Sequence, residues 1–329
     1  MAKVENRVTV QIGPQYLAAL LAGPAVDALE QVLSRADRRA QPSADYWVQL
    51  YTQFGVAQPA AGPAVAALRR LGEGGIGDGR VWMCLDPIHA TPNREHLVVL
   101  PPQQLAVTAA EATALVAELN AHFVADSLHM EMFSPGRWYA TLPVAANIAT
   151  TPLLEAVGRN IRDVLPRGEG ARQWARLWNE MQMVLHGSPV NQARESSRQL
   201  TVNSLWAWGE GALPELNRRL FDVCVTDEPY ARGLAIAAGA RWLAPEAALG
   251  EVDLGARALW VLESDHTHSV DPASLATDCQ GVFTSLLRRL AKNQLGLLEV
   301  VIAGQRYQLT RGGLRKFWRR RLPLRDLCG

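Results

Sequence analysis

Apolar and polar positions along the chain fall into short segments with two distinct periods. Arg7–Ile12 alternates apolar and polar residues and stops at Gly13-Pro14, the pattern of a strand closed by a turn. Val26–Ser34 and Ala60–Leu71 carry apolar residues at helical spacing. Arg80–Leu85 reads as the next strand, and Leu128–Phe133 with Arg137–Leu142 reads as a hairpin around Ser134-Pro135-Gly136. Thr108, with Glu111 three residues on, predicts a capping box ahead of an amphipathic helix. Leu153–Val164 and Arg172–Leu185 are expected helices, and Ser188-Pro189 should open a further one. Asn203–Trp208 is expected as a strand that Glu210-Gly211 turns out of. Phe221–Val225, Ala258–Glu263 and Leu297–Ile302 are strand-like, interleaved with the helical patterns Tyr230–Ala238 and Ser274–Lys292. Strands alternating with helices predict βαβ units, hence an α/β fold with a largely parallel sheet flanked by helices. The hairpin-rich middle predicts an inserted α+β lobe. The expected division is 1–79 and 216–329 for the core, with 80–215 for the lobe.

Composition narrows the classes. A chain of 329 residues with 48% hydrophobic and 20% charged residues is long and apolar enough for a full core. A formal charge of +1 excludes a global field aimed at nucleic acid or an anionic membrane. No apolar run approaches the roughly 20 residues that span a bilayer, and MAKVENRVTVQIG lacks a signal-peptide pattern. A cytoplasmic chain without a membrane is therefore expected. Cys84, Cys224, Cys279 and Cys328 are widely spaced and form no CxxC pair, which suits free thiols in a reducing compartment. The loop Gly72–Gly79 is glycine-rich, but it follows a helix and precedes a strand, the reverse of a phosphate-cradling loop, so it is expected to be a connector.

Four groups of residues carry candidate chemistry. The first is the segment His186–Gly211, with His186, Asn191, Arg194 and Asn203 set among apolar residues. An arginine and two asparagines near a helix N-terminus could receive an anion. Gly209 and Gly211, beside Trp208, could admit a ligand to the backbone. Equally, His186 and Asn203 could brace loops, and Trp206 and Trp208 could alternate on one face of a core strand. The second group is ESDHTHSVDP, where Asp265, His266 and His268 have side chains that suit Zn²⁺ or Mn²⁺. A strand-to-helix turn with Asp271 as the cap before Pro272 is the alternative. Asp86 and His89 stand at the end of a predicted strand, where they could face a ligand or hold the turn at Pro87. The fourth is the basic segment Arg311–Arg325, whose arginines interleaved with Phe317 and Trp318 could contact RNA or DNA. Against that, with a net charge of only +1, Phe317 and Trp318 are expected to dock the segment while its arginines stay solvated or pair locally.

The segment HGSPVNQAR…NSLWAWGEGALPEL resembles the RpfE-type regulatory proteins of proteobacteria, often labelled phosphoglycerate mutase. WMCLDPIH, EATALVAELNAHF, GRWYATL, NEMQMVLHGSPVN and FWRRRLPL extend the resemblance over most of the chain beyond Arg80. That group is in turn similar to the archaeal-type, cofactor-independent phosphoglycerate mutases of the alkaline phosphatase superfamily. Those enzymes share a Pro-Val-Asn…Arg stretch, here Pro189–Arg194, and a Gly-x-Gly turn, here Gly209–Gly211. The resemblance implies an alkaline-phosphatase-like sheet with an inserted lobe and a bound phosphoglycerate. It also implies two metal ions held by an early Asp-Gly, a serine nucleophile, an Asp…Gly-His stretch and a late Asp-His pair. This chain departs from it: the first strand ends in IGPQ, ESDHTHS lacks that spacing, and LEVVIA is followed by GQRYQL. The expectation is therefore a non-catalytic regulatory protein that binds a small phosphorylated or anionic ligand, with no cofactor. The alternative is an active metal-dependent mutase or phosphatase with a site rearranged around Asp265, His266 and His268. A protein partner is a further candidate, and nucleic acid is not expected.

Overall fold

The computed structural model of the chain describes residues 6–57, 62–93, 96–141, 145–246, 257–263, 271–316 and 318–328. In chain order the elements begin with β1 (Arg7–Ile12), α1 (Pro14–Ala22), α2 (Asp27–Arg35), β2 (Asp37–Ala40), α3 (Tyr46–Gln53) and α4 (Val65–Gly72). Next come β3 (Trp82–Ile88), β4 (Ala90–Asn93), β5 (His96–Val99), α5 (Pro102–Leu105), α6 (Ala109–His122), β6 (His129–Ser134) and β7 (Arg137–Thr141). Then follow α7 (Leu153–Ala156), α8 (Ile161–Val164), α9 (Ala171–Gly187), α10 (Pro189–Ser196) and β8 (Ser204–Gly211). The chain continues through β9 (Val223–Val225), α11 (Pro229–Ala237), β10 (Arg241–Leu243) and β11 (Ala258–Leu262). It closes with α12 (Pro272–Ala291), β12 (Leu297–Ile302), β13 (Gln305–Thr310) and α13 (Leu324–Cys328).

The described residues divide into two compact units, one from residues 6–57 and 215–328, the other from residues 62–214. The first unit is built on a sheet of order β10-β9-β11-β1-β12-β13-β2. Strands β10 to β12 are parallel, and β13 and β2 add an antiparallel edge. Period-2 alternation decides which residues face which layer. Val8, Val10 and Ile12 join Trp260 and Val300 in a core that α1, α2 and α12 cover. Thr9 and Gln11 face the other way, where Gln11 Nε2 donates to Gln49 Oε1 of α3 at 3.1 Å. The β12–β13 turn is two residues long, with Ala303 at φ 47° and Gly304 at φ 71°. That is the backbone twist a two-residue hairpin needs.

The second unit carries an antiparallel sheet of order β6-β7-β3-β8. On one face Met83, Leu85, Leu205 and Ala207 pack with Leu115, Leu119, Trp174 and Met181 from α6 and α9. The other face presents the alternate residues of β3 and β8 toward α4, which the sequence reading had assigned to the core. Its boundary therefore falls before residue 62 and not at 79, because α4 buries Arg69 and Arg70 against this sheet.

Most expected elements are present, with three corrections. Leu153–Val164 is not one helix but two single turns, separated by Gly158 at φ 72°. The strand from Ser204 runs through Glu210-Gly211 without turning out. Trp318 does not bury itself: it is 70% exposed, and Phe317 lies outside the described residues. The capping box at Thr108 and Glu111 forms as expected, as does the Asp271 cap of α12.

Candidate functional site

The densest buried polar chemistry of the second unit centres on Asp86. This residue has no exposed surface, and it points from β3 at the face covered by α4. Arg69 Nη2 donates to its Oδ1 at 2.5 Å and Nη1 to its Oδ2 at 3.3 Å, and the Trp208 indole donates to Oδ2 at 2.7 Å. The fifth donor position of Arg69, Nε, reaches Tyr139 Oη at 2.8 Å. Tyr139 in turn donates to Glu73, which also takes Arg137 Nε at 2.5 Å. The Arg69 guanidinium stacks against the Tyr139 and Trp208 rings at 5.0 and 5.1 Å. Burial opposes its charge, but the attraction of and hydrogen bonds to Asp86, with Cys84 and Tyr139 beside it, together outweigh burial and keep Arg69 firmly protonated. Burial, with Glu73 adding to it against the pull of Arg69, pushes the Tyr139 hydroxyl well above its ordinary range. Every charge in this network meets a protein partner, so it orients α4 on the sheet rather than offering an open acceptor.

The His186–Gly211 segment folds into the same framework. His186 is exposed in the last turn of α9. Ser188 caps α10 by accepting from Val190 N at 3.2 Å. Asn191, only 4% exposed, donates to the carbonyls of Leu185 (2.7 Å) and Val202 (2.8 Å) and accepts from Val202 N (2.9 Å). Arg194, 3% exposed, donates to the Leu105 and Leu200 carbonyls and to Glu111 at 2.9 Å. Asn203 exchanges two bonds of 2.8 Å with the backbone of Ala90, and His89 Nδ1 pairs with the Thr201 carbonyl at 2.8 Å. The residues expected to receive an anion are thus brought together as braces for loop backbone. Trp206 and Trp208 share one face of β8, with the Trp206 indole donating to the Thr151 carbonyl.

The two glycines have a packing role. A Cβ on Gly211 would lie 2.5 Å from the Ala64 Cβ, and one on Gly209 would lie 2.9 Å from the Val65 Cβ. Gly209 also sits at φ 68°. What approaches this backbone is the start of α4, not an external molecule. Sequence reasoning missed Arg69, Glu73 and Tyr139, because adjacent arginines on an amphipathic helix ordinarily read as a solvated face. The available signal was Arg69-Arg70 in a helix otherwise composed of Val, Ala, Leu and a final Gly.

In the first unit, polar groups gather at the carboxyl ends of the parallel strands, where α/β folds place ligands. Glu263, just past β11, accepts from Tyr16 N at 2.9 Å and Gln15 N at 3.4 Å, so it caps α1 from another strand. A Cβ on Gly13 would fall 1.9 Å from Glu263 Oε2. Glu228 caps α11 through Tyr230 N and Ala231 N. The Tyr46 hydroxyl is buried nearby, has no hydrogen-bond partner among the described residues, and is held far above its ordinary range by burial, then by Glu228 and Glu263. Asp265, His266 and His268 lie outside the described residues. Among the described residues no three His, Cys, Asp or Glu side chains converge as a metal site would need. The four cysteines are free, three of them buried.

No family model matches the chain. Among curated proteins it is 26% identical over 187 residues to a probable 2,3-bisphosphoglycerate-independent phosphoglycerate mutase of Geobacter sulfurreducens, covering 54% of this chain and 46% of that protein. It is 27% identical over 157 residues to the 2,3-bisphosphoglycerate-independent phosphoglycerate mutase of Methanosarcina barkeri, covering 45% and 39%. The chain spans less than half the length of these curated relatives. Among solved structures, the PH0037 protein from Pyrococcus horikoshii aligns with TM-score 0.56 at 10% identity over 92% of this chain and 86% of that one. The cofactor-independent phosphoglycerate mutase from Thermoplasma acidophilum aligns over 94% and 90% at 14% identity, with TM-score 0.46. Over about half its length the chain is thus distantly similar in sequence to 2,3-bisphosphoglycerate-independent phosphoglycerate mutases, and its α/β fold is similar to that of PH0037. No helix among the described residues is long and apolar enough by itself to cross a membrane.

Proposed function

We propose that this chain is a phosphoglycerate-mutase-like regulatory protein of the RpfE type, which binds a small phosphorylated or anionic ligand without transferring phosphate. The observation that carries this reading is the end of β1. Mutases of the resembled family carry a metal-binding aspartate there, followed by glycine. Here Ile12 and Gly13 occupy the strand end, and the Glu263 carboxylate covers Gly13 while capping α1. A carboxylate engaged with two backbone N–H groups is neutralised by a helix terminus rather than by a cation. The described residues therefore do not fit a two-metal centre. Asn191 and Arg194 are not assigned to the ligand, since backbone carbonyls and Glu111 already occupy their donors.

Purified protein assayed with 3-phosphoglycerate and Mn²⁺ should show no turnover and no stoichiometric metal. Phosphorylated three-carbon acids should raise its melting temperature in proportion to occupancy. Turnover with bound metal, both lost in His268→Ala, would overturn the proposal and favour the rearranged metal site at Asp265, His266 and His268. Silence from every phosphorylated acid would remove the ligand from the proposal.

A further inference from the structure

The segment Arg311–Arg325 carries seven basic side chains and no acidic one. It lies as a strap over the end of α2 and the edge strand β2, and part of its charge ties it down. Lys316 pairs with Asp37 at 2.7 Å, Arg319 pairs with Asp37 and donates to the Ala36 carbonyl at 2.8 Å, and Arg321 pairs with Asp27 at 3.0 Å. Backbone anchors follow, from Leu322 N to Ser34 Oγ and from Leu324 N to Glu30 Oε1, each 3.0 Å. These contacts use up the carboxylates beneath the strap. Arg311, Arg315, Arg320 and Arg325 remain exposed, with no carboxylate in ion-pair reach among the described residues. Arg39 projects from exposed β2 beside them.

Counting Arg35, Arg38 and Arg39 with the strap, ten basic side chains face four acidic ones, Asp27, Glu30, Asp37 and Asp326. The local balance is +6, so the rest of a chain of net charge +1 sums to −5. The whole-chain figure conceals a strongly polarised surface. Within the strap the Trp318 side chain is 70% exposed.

We propose that the strap and the edge strand β2 form a binding surface for single-stranded nucleic acid. Guanidinium groups that no carboxylate has claimed fork onto phosphate oxygens. An exposed indole among them offers a face on which a base can stack whatever its sequence. The described residues of the strap are irregular apart from the three-residue turn Gly313–Arg315 and the start of the five-residue α13, so they offer no long helix to a duplex major groove. Among its described residues, large apolar exposure is confined to Trp318 and Leu322, too little for the wide apolar face that an interfacial membrane segment buries.

The test uses the full chain with a fluorescein-labelled oligo-dT and oligo-rU, read by anisotropy across a salt series. Wild-type binding should weaken with salt at a log–log slope of about −3, for four to five phosphates neutralised on a single strand. Arg315→Ala/Arg320→Ala/Arg325→Ala should lower affinity at least tenfold and flatten that slope by about 2. Trp318→Ala should lower affinity roughly tenfold with the slope unchanged, since stacking releases no counterions. All four positions are exposed, so unaltered circular dichroism is expected in both variants. No binding by wild type at 50 mM salt, or wild-type binding by the triple variant, would overturn the proposal. Equal or tighter binding to poly-glutamate or to phosphatidylserine vesicles, with Trp318→Ala neutral for the oligonucleotides, would overturn it in favour of a general polyanion surface.

Discussion

Replacing Asp86 with alanine is the sharpest probe of the lobe's interior. Asp86 and Arg69 are 0% and 1% exposed, and their separation of 2.5 Å leaves no room for water between them. Removing the carboxylate leaves the Arg69 charge with Tyr139 as its remaining side-chain acceptor and takes away the Asp86 bond of the Trp208 indole. Breaking one side of a buried pair costs about 3–5 kcal/mol, mostly from the charge left uncompensated. The lost indole hydrogen bond adds to it, so about 4 kcal/mol is expected for Asp86→Ala. The double variant Arg69→Met/Asp86→Leu removes both charges while keeping volume. It should recover most of the loss, leaving about 1–3 kcal/mol for the indole and the Tyr139 hydroxyl. Hydrogen exchange followed by mass spectrometry on peptides from β3 and β8 reads the stability of this unit without assuming that the whole chain unfolds in one step. A single variant that loses less than about 1 kcal/mol, or a double variant no more stable than the single, would refute the argument from the buried charge.

Three further outcomes follow from local geometry. Gly211→Ala forces a methyl to 2.5 Å from the Ala64 Cβ, so the β3 and β8 amides should exchange faster, by an overpacking cost of about 1–3 kcal/mol. Asn191→Ala strands the Val202 carbonyl and N–H and leaves the Leu185 carbonyl to Ser188 N alone. Urea unfolding should move to lower concentration by the equivalent of about 2–4 kcal/mol; a shift near zero would mean that water replaces the amide. Hydrogen bonds from Arg257, side chain first, hold the Asp222 carboxyl below the usual aspartate range. A lowered folded pKa gives stability that is present above the unfolded value and lost as pH falls through the folded one. Melting temperature should therefore drop below about pH 4, and part of that drop should disappear in Asp222→Asn.

The candidate chemistry was legible as residues but not as contacts. Asn191, Arg194 and Asn203 stand out in sequence because polar groups among apolar ones need partners. The partners are the Leu105, Leu185, Leu200 and Val202 carbonyls and the Ala90 backbone, and nothing in their spacing along the chain announces them. The Arg69-Arg70 pair on α4 carries no sign of its burial, because helical periodicity is blind to a sheet lying on that face. The basic strap was visible as a run, while the whole-chain charge of +1 averaged away its local +6.

What the sequence determines alone are the features whose physics is local. These include the strand at Arg7–Ile12, the capping box at Thr108, the proline-started α10, the Ser134-Pro135-Gly136 hairpin and the α/β class itself. Each depends on side-chain period or on hydrogen bonds within a few residues. Only the tertiary structure decided that α4 belongs to the lobe, that Gly209 and Gly211 make room for it, and that Glu263 closes the end of β1. Those outcomes rest on burial and on partners up to some 250 positions away, such as Glu263 meeting Tyr16 across 247 residues. A residue's chemistry is written in its side chain, but whether that chemistry stays available depends on which distant groups have already satisfied it.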